Sequence, residues 1–132
     1  MALSIGLCSL LVHDYDEAIA FFKRIRFELL EDLPVTSEKR WVRMAPQGEQ
    51  GCALLLARAT TPEQSAQVGK QAGGRVAFFL YADDFWEIYD YMQDQGVRFV
   101  EAPRVEPYGM VVNFLDLYGN RWDLIEAPKS DA

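Results

Sequence analysis

The sequence predicts an α+β protein built from two tandem βαβββ modules, and three observations lead to this fold class. A shift of 70 residues aligns residues 14–18 with 84–88 and residues 27–31 with 97–101. Each copy contains an apolar run of strand length, then a helix-capping signal, then three further short strand candidates. A pattern that repeats at a fixed period is typical of a duplicated structural unit. The 132 residues are therefore expected to form one domain from two copies of one unit.

Each module begins with a strand and a helix. The apolar runs at residues 3–12 and 76–81 predict the first strands, and Asp14 and Asp84, each followed three positions later by glutamate, predict helix N-termini. Apolar residues recur behind both caps at spacings of three and four, which indicates helices that pack on a sheet. Gly96 suits a left-handed stop after the second helix, whereas the same turn at Arg26 would cost about 1 kcal/mol. We therefore expect the first helix to end differently.

Three short strand candidates follow each helix. Turn signals rich in proline and glycine separate the strand candidates from one another. The candidates cover residues 27–31, 40–44 and 52–57 in the first module and residues 98–101, 110–115 and 121–125 in the second. The modules span about residues 3–57 and 74–127 of a single domain, 1–132. Residues 58–73 form a linker in which Thr61 and Pro62 can start a short helix. The tail from Pro128 is expected to be loose.

Composition and charge narrow the classes of function. The formal net charge of −7 leaves no basic surplus to neutralise phosphates, which disfavours nucleic acid and anionic membranes and favours a small or cationic ligand. The apolar residues 1–12 carry no basic residue and are fewer than the about 20 that span a bilayer, so we expect a cytoplasmic protein. Cys8 and Cys52 lie in apolar stretches far apart in the sequence, which favours reduced core thiols over a disulfide or a nucleophile.

Two stretches are especially recognisable. Residues 12–22 read Val-His-Asp-Tyr-Asp-Glu-Ala-Ile-Ala-Phe-Phe, and residues 116–124 contain the pattern D-x-x-G-N-x-x-x-L. Together with the duplication over residues 3–127, they resemble the vicinal oxygen chelate superfamily, which includes glyoxalase I, extradiol dioxygenases, fosfomycin-resistance transferases and bleomycin-binding proteins. The resemblance implies that the modules form a curved mixed-sheet cup, and it implies a homodimer. Both stretches specify a turn and a strand, so they predict the fold rather than an activity.

The resemblance also supplies four positions for the ligands of a divalent metal. They fall on Leu7, on Ala77 or Arg75, on Ala53 or Leu55, and on Asp123. Only Asp123 offers a suitable donor, whereas a catalytic divalent ion usually takes three or more protein ligands. His13, the one histidine, precedes a helix cap and is expected to be a solvated turn residue. We therefore expect no catalytic metal and no cofactor.

Alternation along the strands selects charged candidates for a ligand-binding site. Alternate residues share one face of a strand, so Asp123 should lie with Arg121 on the last strand. On the opening strand of the second module, the same rule places Arg75 with Phe79. Asp123 and Arg75 are therefore candidates for an ion pair, and both a structural tie and a ligand-orienting role fit the sequence.

Rings and polar groups complete the predicted site, because small-molecule pockets combine an apolar wall with a few polar groups. Trp41 and Phe79 fit this role, although large aromatic residues more often fill the core of a half-buried sheet. Tyr108 lies on a turn that leads into a strand, where recognition residues gather. The full set of predicted ligand-binding residues is Asp123, Arg75, Arg121, Trp41, Phe79, Tyr108 and Asn113.

Three functions are compatible with this sequence. The first is a metal-free binding protein that sequesters a small amphipathic or cationic ligand, as the bleomycin-binding branch of the superfamily does. The second is a metal-dependent glyoxalase-like lyase or extradiol-type dioxygenase in which Asp123 and Glu106 or Glu126 hold the metal. The third is an interaction module whose interior is filled by its own side chains. We favour the first function, and the sequence leaves open whether the protein is an enzyme.

Overall fold

The computed structural model describes residues 1–49 and 51–128, which form parts of two compact units, Met1–Gly69 and Lys70–Ala132. The first unit contains β1 (Leu7–Val12), α1 (Tyr15–Arg24), β2 (Phe27–Pro34), β3 (Arg40–Pro46), β4 (Ala53–Arg58) and α2 (Pro62–Gln67). The second unit contains β5 (Val76–Ala82), α3 (Phe85–Asp94), β6 (Arg98–Phe99), β7 (Arg104–Glu106), β8 (Gly109–Leu115) and β9 (Arg121–Glu126). The tail that the sequence predicts to be loose lies, from residue 129 onward, outside the described residues.

Each unit is built on one mixed sheet with a helix against one face. The first sheet has the order β1-β4-β3-β2, and the second has the order β5-β9-β8-β6, with β7 also paired to β8. The first and last strands of each unit run parallel, and the other pairs are antiparallel. This arrangement matches the predicted βαβββ order twice, apart from β7, which is an additional short strand. The predicted helix at Thr61 is present as α2.

Apolar side chains lie between each helix and its sheet. In the first unit, α1 buries Ala18 and Phe22, while β3 and β4 contribute Met44 and Leu56. In the second unit, the ring of Trp122 lies between those of Phe78 and Phe114, with centroid distances of 4.6 and 5.8 Å. Burial of such rings removes large apolar areas from water and is the main stabilising contribution in a sheet-and-helix layer. We call the face of each sheet that lies away from α1 or α3 its open face.

Helices α1 and α3 begin at the predicted residues. Asp14 Oδ2 accepts a hydrogen bond from the Glu17 amide at 2.8 Å, and Asp84 Oδ1 accepts one from the Glu87 amide at 3.2 Å. Each carboxylate satisfies an amide that has no partner within the first helical turn.

The end of α1 corrects a prediction. Arg26 has a φ of 68°, close to the 81° of Gly96 after α3. The expectation that the first helix ends differently is therefore wrong, because the chain adopts the left-handed turn in spite of the Cβ.

The first strand is shorter than the apolar run that predicts it. It begins at Leu7 rather than at residue 3, and the side chains of Leu3 and Ile5 are 98% and 72% exposed. The pairing partner of β1 is β4, which begins at Ala53, directly opposite Leu7. The residues before Leu7 therefore extend beyond the start of β4. Among the described residues, none of the helices has the length and apolar character needed to cross a bilayer.

The two units differ in the length of the turn before the last strand. Arg43 lies opposite Leu55 in the first unit, and Asn113 lies opposite Asp123 in the second. The counterpart of Asp123 is therefore Leu55, the second of the two positions that the sequence offered, and not Ala53, which a constant shift of 70 residues would give. A single constant shift along the sequence does not detect this difference, because the extra residues lie in the turn between β3 and β4.

The D-x-x-G-N pattern forms the turn between β8 and β9, as expected. Asp116 is 2% exposed, and its carboxylate accepts four hydrogen bonds of 3.0 Å, from the amides of Tyr118 and Asn120, from Asn120 Nδ2 and from Trp122 Nε1. A buried carboxylate needs several donors to offset its loss of hydration. Asp116 thus anchors the turn to the first residues of β9.

Candidate functional site

A pocket of about 290 Å³ lies on the open face of the second sheet. Strands β5 and β9 form its floor, because Phe79 lies opposite Asp123 and Tyr81 lies opposite Ile125. The β7–β8 turn supplies one wall through Tyr108. We call this site the β5–β9 pocket, and the residues that line it are Phe79, Tyr81, Tyr108, Asp123, Ile125, Glu126 and Pro128.

Three aromatic rings of the β5–β9 pocket are accessible. Phe79, Tyr81 and Tyr108 are 58%, 60% and 57% exposed. Exposed rings cost free energy in water unless a partner covers them, and aromatic rings attract both flat apolar molecules and cations. The alternative in which Phe79 is a core residue is therefore wrong, and all three rings are accessible to solvent.

Asp123 is held in place by two other predicted residues. Its Oδ1 accepts a hydrogen bond of 3.0 Å from Asn113 Nδ2, and Asn113 Oδ1 accepts one of 3.2 Å from Arg121 Nη1. Asn113 also donates to the carbonyl of Trp122, and it is 7% exposed. The side-chain orientations of Arg121, Asn113 and Asp123 are therefore coupled, which fixes the carboxylate at the pocket floor. The predicted residues Arg121 and Asn113 position Asp123 rather than line the pocket.

Glu126 provides a second carboxylate. The Met110 amide donates to Glu126 Oε1 at 3.1 Å, and a Cβ at Gly109 would lie only 2.7 Å from the same oxygen. Gly109 also has a φ of 129°, which L side chains rarely adopt. A glycine at this position therefore allows the β7–β8 hairpin to hold the carboxylate at the pocket edge.

Arg75 does not pair with Asp123, which corrects the predicted ion pair. Val76 lies opposite Arg121 and Phe78 lies opposite Trp122, so an extra residue, Ala77, interrupts the ladder. Such a bulge breaks the alternation of side chains, and counting back from Phe79 no longer places Arg75 on the same face. Arg75 is exposed and lies before β5, and the partner of Asp123 is an amide instead of a guanidinium.

Trp41 belongs to the first unit and has different neighbours. Its Nε1 donates to Glu31 Oε1 at 3.2 Å, and Arg43 Nε donates to the same oxygen. The hydrogen bond from Arg43 and then that from Trp41 hold the pKa of Glu31 below its ordinary value. Trp41 is half-buried in a polar cluster at the β2–β3 pair and does not line the β5–β9 pocket.

The first unit has a groove of about 420 Å³ at the corresponding place on its own open face. Leu11 and Ala57 in this groove are the counterparts of Tyr81 and Ile125. Its charged residues are Glu38, Lys39 and Arg58, whereas the β5–β9 pocket carries two carboxylates. The two sites thus differ in both aromatic content and charge.

The residues at the metal positions implied by the resemblance do not fit a catalytic metal. Among the side chains at these positions, only that of Asp123 is a carboxylate, and the strand pairing makes Leu55 the counterpart of Asp123. Within residues 1–49 and 51–128, no three His, Cys, Asp or Glu side chains are close enough together to hold a metal ion. Glu106, one of the two suggested additional ligands, accepts a hydrogen bond of 2.8 Å from Arg104 Nε. His13 is exposed in the turn before α1.

The sequence-based list of site residues omitted several that line the pocket. Tyr81 and Ile125 have a signal, since each lies two positions beyond a predicted site residue on the same strand. Glu126 breaks the alternation after Ile125, and its position depends on the Met110 amide across the sheet. Pro128 follows the last strand and has no periodic signal. Strand periodicity therefore identifies the floor of the pocket but not its edge.

Comparisons with known proteins agree with this architecture. The model of the Glyoxalase/Bleomycin resistance protein/Dioxygenase superfamily matches residues 4–124. An uncharacterized protein from Shewanella frigidimarina (strain NCIMB 400) is 50% identical over 128 residues, which cover 96% of this chain and 95% of that protein. The structure of UcmS2 has a TM-score of 0.83 and 25% identity, covering 96% of this chain and all 100% of that one. The structure of TnmS3, an antibiotic binding protein from Streptomyces sp. CB03234, has a TM-score of 0.76 and 29% identity, covering 98% of this chain and 99% of that one.

Proposed function

Because the chain belongs to the Glyoxalase/Bleomycin resistance protein/Dioxygenase superfamily, we propose that it is a metal-free binding protein that sequesters a small aromatic cation in the β5–β9 pocket. The observation that carries the proposal is the combination of three exposed rings with the carboxylates of Asp123 and Glu126 in one pocket. Rings bind a flat ligand through apolar contact and attract its positive charge, and carboxylates add to that attraction. TnmS3, a structural neighbour, is an antibiotic binding protein, which supports a binding role.

The alternative function, a metal-dependent lyase or dioxygenase, has less support. Asp123 and Glu126 share the pocket, but two carboxylates are fewer donors than a catalytic divalent ion usually takes. Stoichiometric zinc, nickel, manganese or iron in protein purified without a histidine tag would favour the enzyme over the binding protein. A homodimer and a cytoplasmic location stay part of the proposal, to be tested by light scattering and by cell fractionation.

The test compares two ligands that share one fused three-ring skeleton and differ in charge. N-methylacridinium is permanently cationic, whereas acridine is neutral at pH 8. We expect both to raise the melting temperature, because a ligand that binds only the native state stabilises it. Asp123→Asn keeps the size of the side chain and its acceptor oxygen for Asn113, and should weaken binding of the cation about fivefold while leaving acridine unchanged.

The matched control is Asp90→Asn, which removes the same charge from an exposed position on α3. It should leave both affinities, measured by fluorescence titration, unchanged. Replacing Phe79 or Tyr81 with alanine should weaken the binding of both ligands. The proposal is wrong if neither acridine nor N-methylacridinium binds, or if Asp123→Asn and Asp90→Asn have the same effect.

A further inference from the structure

The two cysteines of the chain lie side by side in the first unit. Cys8 is in β1, Cys52 directly precedes β4, and their Sγ atoms are 3.4 Å apart although 44 positions separate them in the sequence. Both are free thiols with half-buried side chains. The parallel pairing of β1 with β4, in which Leu7 lies opposite Ala53, brings them together. The sequence favours reduced core thiols over a disulfide, so the juxtaposition of the two side chains is a result of the tertiary structure.

We propose that Cys8 and Cys52 form a reversible intramolecular disulfide when the protein meets a peroxide, so that the pair is an oxidation site distinct from the β5–β9 pocket. A disulfide has an S–S distance of about 2.05 Å, so the sulfur atoms need to approach by a little more than 1 Å. Rotation about the Cα–Cβ bonds supplies movements of this size without separating the two hydrogen-bonded strands.

The chemistry is a two-electron oxidation of the dithiol. One cysteine, as the thiolate, attacks an oxygen of hydrogen peroxide, which breaks the O–O bond and yields a sulfenic acid and water. The second thiol attacks the sulfenic sulfur, which forms the S–S bond and releases a second water. Two thiols and one hydrogen peroxide thus give one disulfide and two waters. A dithiol reductant reverses the reaction by thiol–disulfide exchange.

The second unit shows what a link at this place would do. The counterpart of Cys52 is Asn120, which belongs to the buried turn anchored by the Asp116 carboxylate. The counterpart of Asp116 is Pro46, whose side chain has no acceptor for hydrogen bonds. A disulfide from Cys52 to the neighbouring strand would therefore anchor the first unit's turn covalently, where the second unit uses hydrogen bonds.

The environment of Cys52 affects the rate of this oxidation. Burial, then the hydrogen bond with Cys8, raise the pKa of the Cys52 thiol. Because the thiolate is the nucleophile, the oxidation of the pair should become faster as the pH rises.

The test treats the full chain with one equivalent of hydrogen peroxide under native conditions. We expect both thiols to disappear together in a maleimide titration, with loss of the mass of two hydrogens from a protein that stays unlinked to other copies. Digestion with trypsin should yield residues 1–23 linked to residues 44–58. The oxidised protein should melt about 10 °C higher than the reduced protein, because a cross-link between distant positions restricts the unfolded chain. Dithiothreitol should restore the original mass and melting temperature.

Cys8→Ser and Cys52→Ser are the controls, since each keeps one thiol and cannot form the link. Both should gain oxygen or stay unmodified, and neither should gain thermal stability. Three results would overturn the proposal. The first is two titratable thiols after peroxide treatment, and the second is a product that contains added oxygen or intermolecular links without the internal disulfide. The third is a change in melting temperature on peroxide treatment that is no larger than the change in the serine variants.

Discussion

Arg26 shows how a single residue departs from its local preference. Its left-handed conformation closes α1 in the way that Gly96 closes α3, with φ values of 68° and 81°. The amide of Arg26 donates to the carbonyl of Lys23, and its carbonyl accepts a hydrogen bond of 3.0 Å from the Gln47 amide. These bonds and the packing of α1 on its sheet impose the turn, although a Cβ makes that conformation unfavourable by about 1 kcal/mol. The local cost is small compared with the burial that depends on the position of the helix.

Arg26→Gly should therefore be more stable than Arg26→Ala. Both variants lose the arginine side chain, but only alanine keeps the Cβ that opposes the left-handed turn. We expect a difference of about 0.5–1 kcal/mol in the free energy of unfolding, reduced by the greater freedom of glycine in the unfolded chain. Urea denaturation followed by circular dichroism measures it. Equal stability of the two variants would show that the turn carries no strain.

At the scale of elements, the turn between β8 and β9 determines the position of the pocket's last strand. Asp116 binds the turn amides and the indole of Trp122, and Trp122 packs between two rings on the helix-covered face. Because Asp123 follows Trp122 directly, holding the indole on one face directs Asp123 to the other. The recognisable D-x-x-G-N pattern is thus structural, and its effect on the pocket is indirect.

Asp116→Ala should destabilise the protein by about 3 kcal/mol, because it leaves several buried donors without an acceptor. Asp90→Ala, which removes an exposed carboxylate from α3, is the control and should change the free energy of unfolding by less than about 0.5 kcal/mol. Guanidinium denaturation with Trp fluorescence as the signal gives both values. A cost below about 1 kcal/mol for Asp116→Ala would mean that water replaces the carboxylate.

At the scale of the whole molecule, the acidic charge is unevenly distributed. The unit Lys70–Ala132 has eleven acidic and six basic residues, whereas the unit Met1–Gly69 has nine acidic and seven basic residues. The pocket with three exposed rings lies in the more acidic unit, and the groove with Lys39 and Arg58 lies in the other. The surrounding field therefore adds to the attraction that Asp123 and Glu126 exert on a cation.

This distribution predicts a salt dependence. Raising the ionic strength from about 0.02 to about 0.5 M shortens the screening length to a few ångströms. We expect the affinity for N-methylacridinium to fall by about threefold to tenfold, since screening weakens the field of the acidic unit. The affinity for acridine should stay constant or rise slightly. Isothermal titration at both salt concentrations checks this prediction, and an equal response of the two ligands would contradict it.

Patterns in the sequence were sufficient to predict much of the fold of this protein. The repeat, the caps at Asp14 and Asp84 and the apolar periodicity predict the two βαβββ modules, and the α+β fold is confirmed. Alternation places Phe79 and Asp123 on the same side of neighbouring strands, which the structure bears out. Each signal is a pattern along the sequence itself, either a repeat at a fixed shift or a period within one element, so it is readable without knowledge of the strand register.

Other features were decided by the tertiary structure, because they depend on how one strand meets another. The bulge at Ala77 removes Arg75 from the face of Phe79, and the longer turn in the first unit makes Leu55 the counterpart of Asp123. The approach of Cys8 to Cys52 likewise follows from the register of β1 against β4. Register and bulges are set by pairing and packing across the sheet, and a periodic pattern within one strand contains no record of the partner that it will meet.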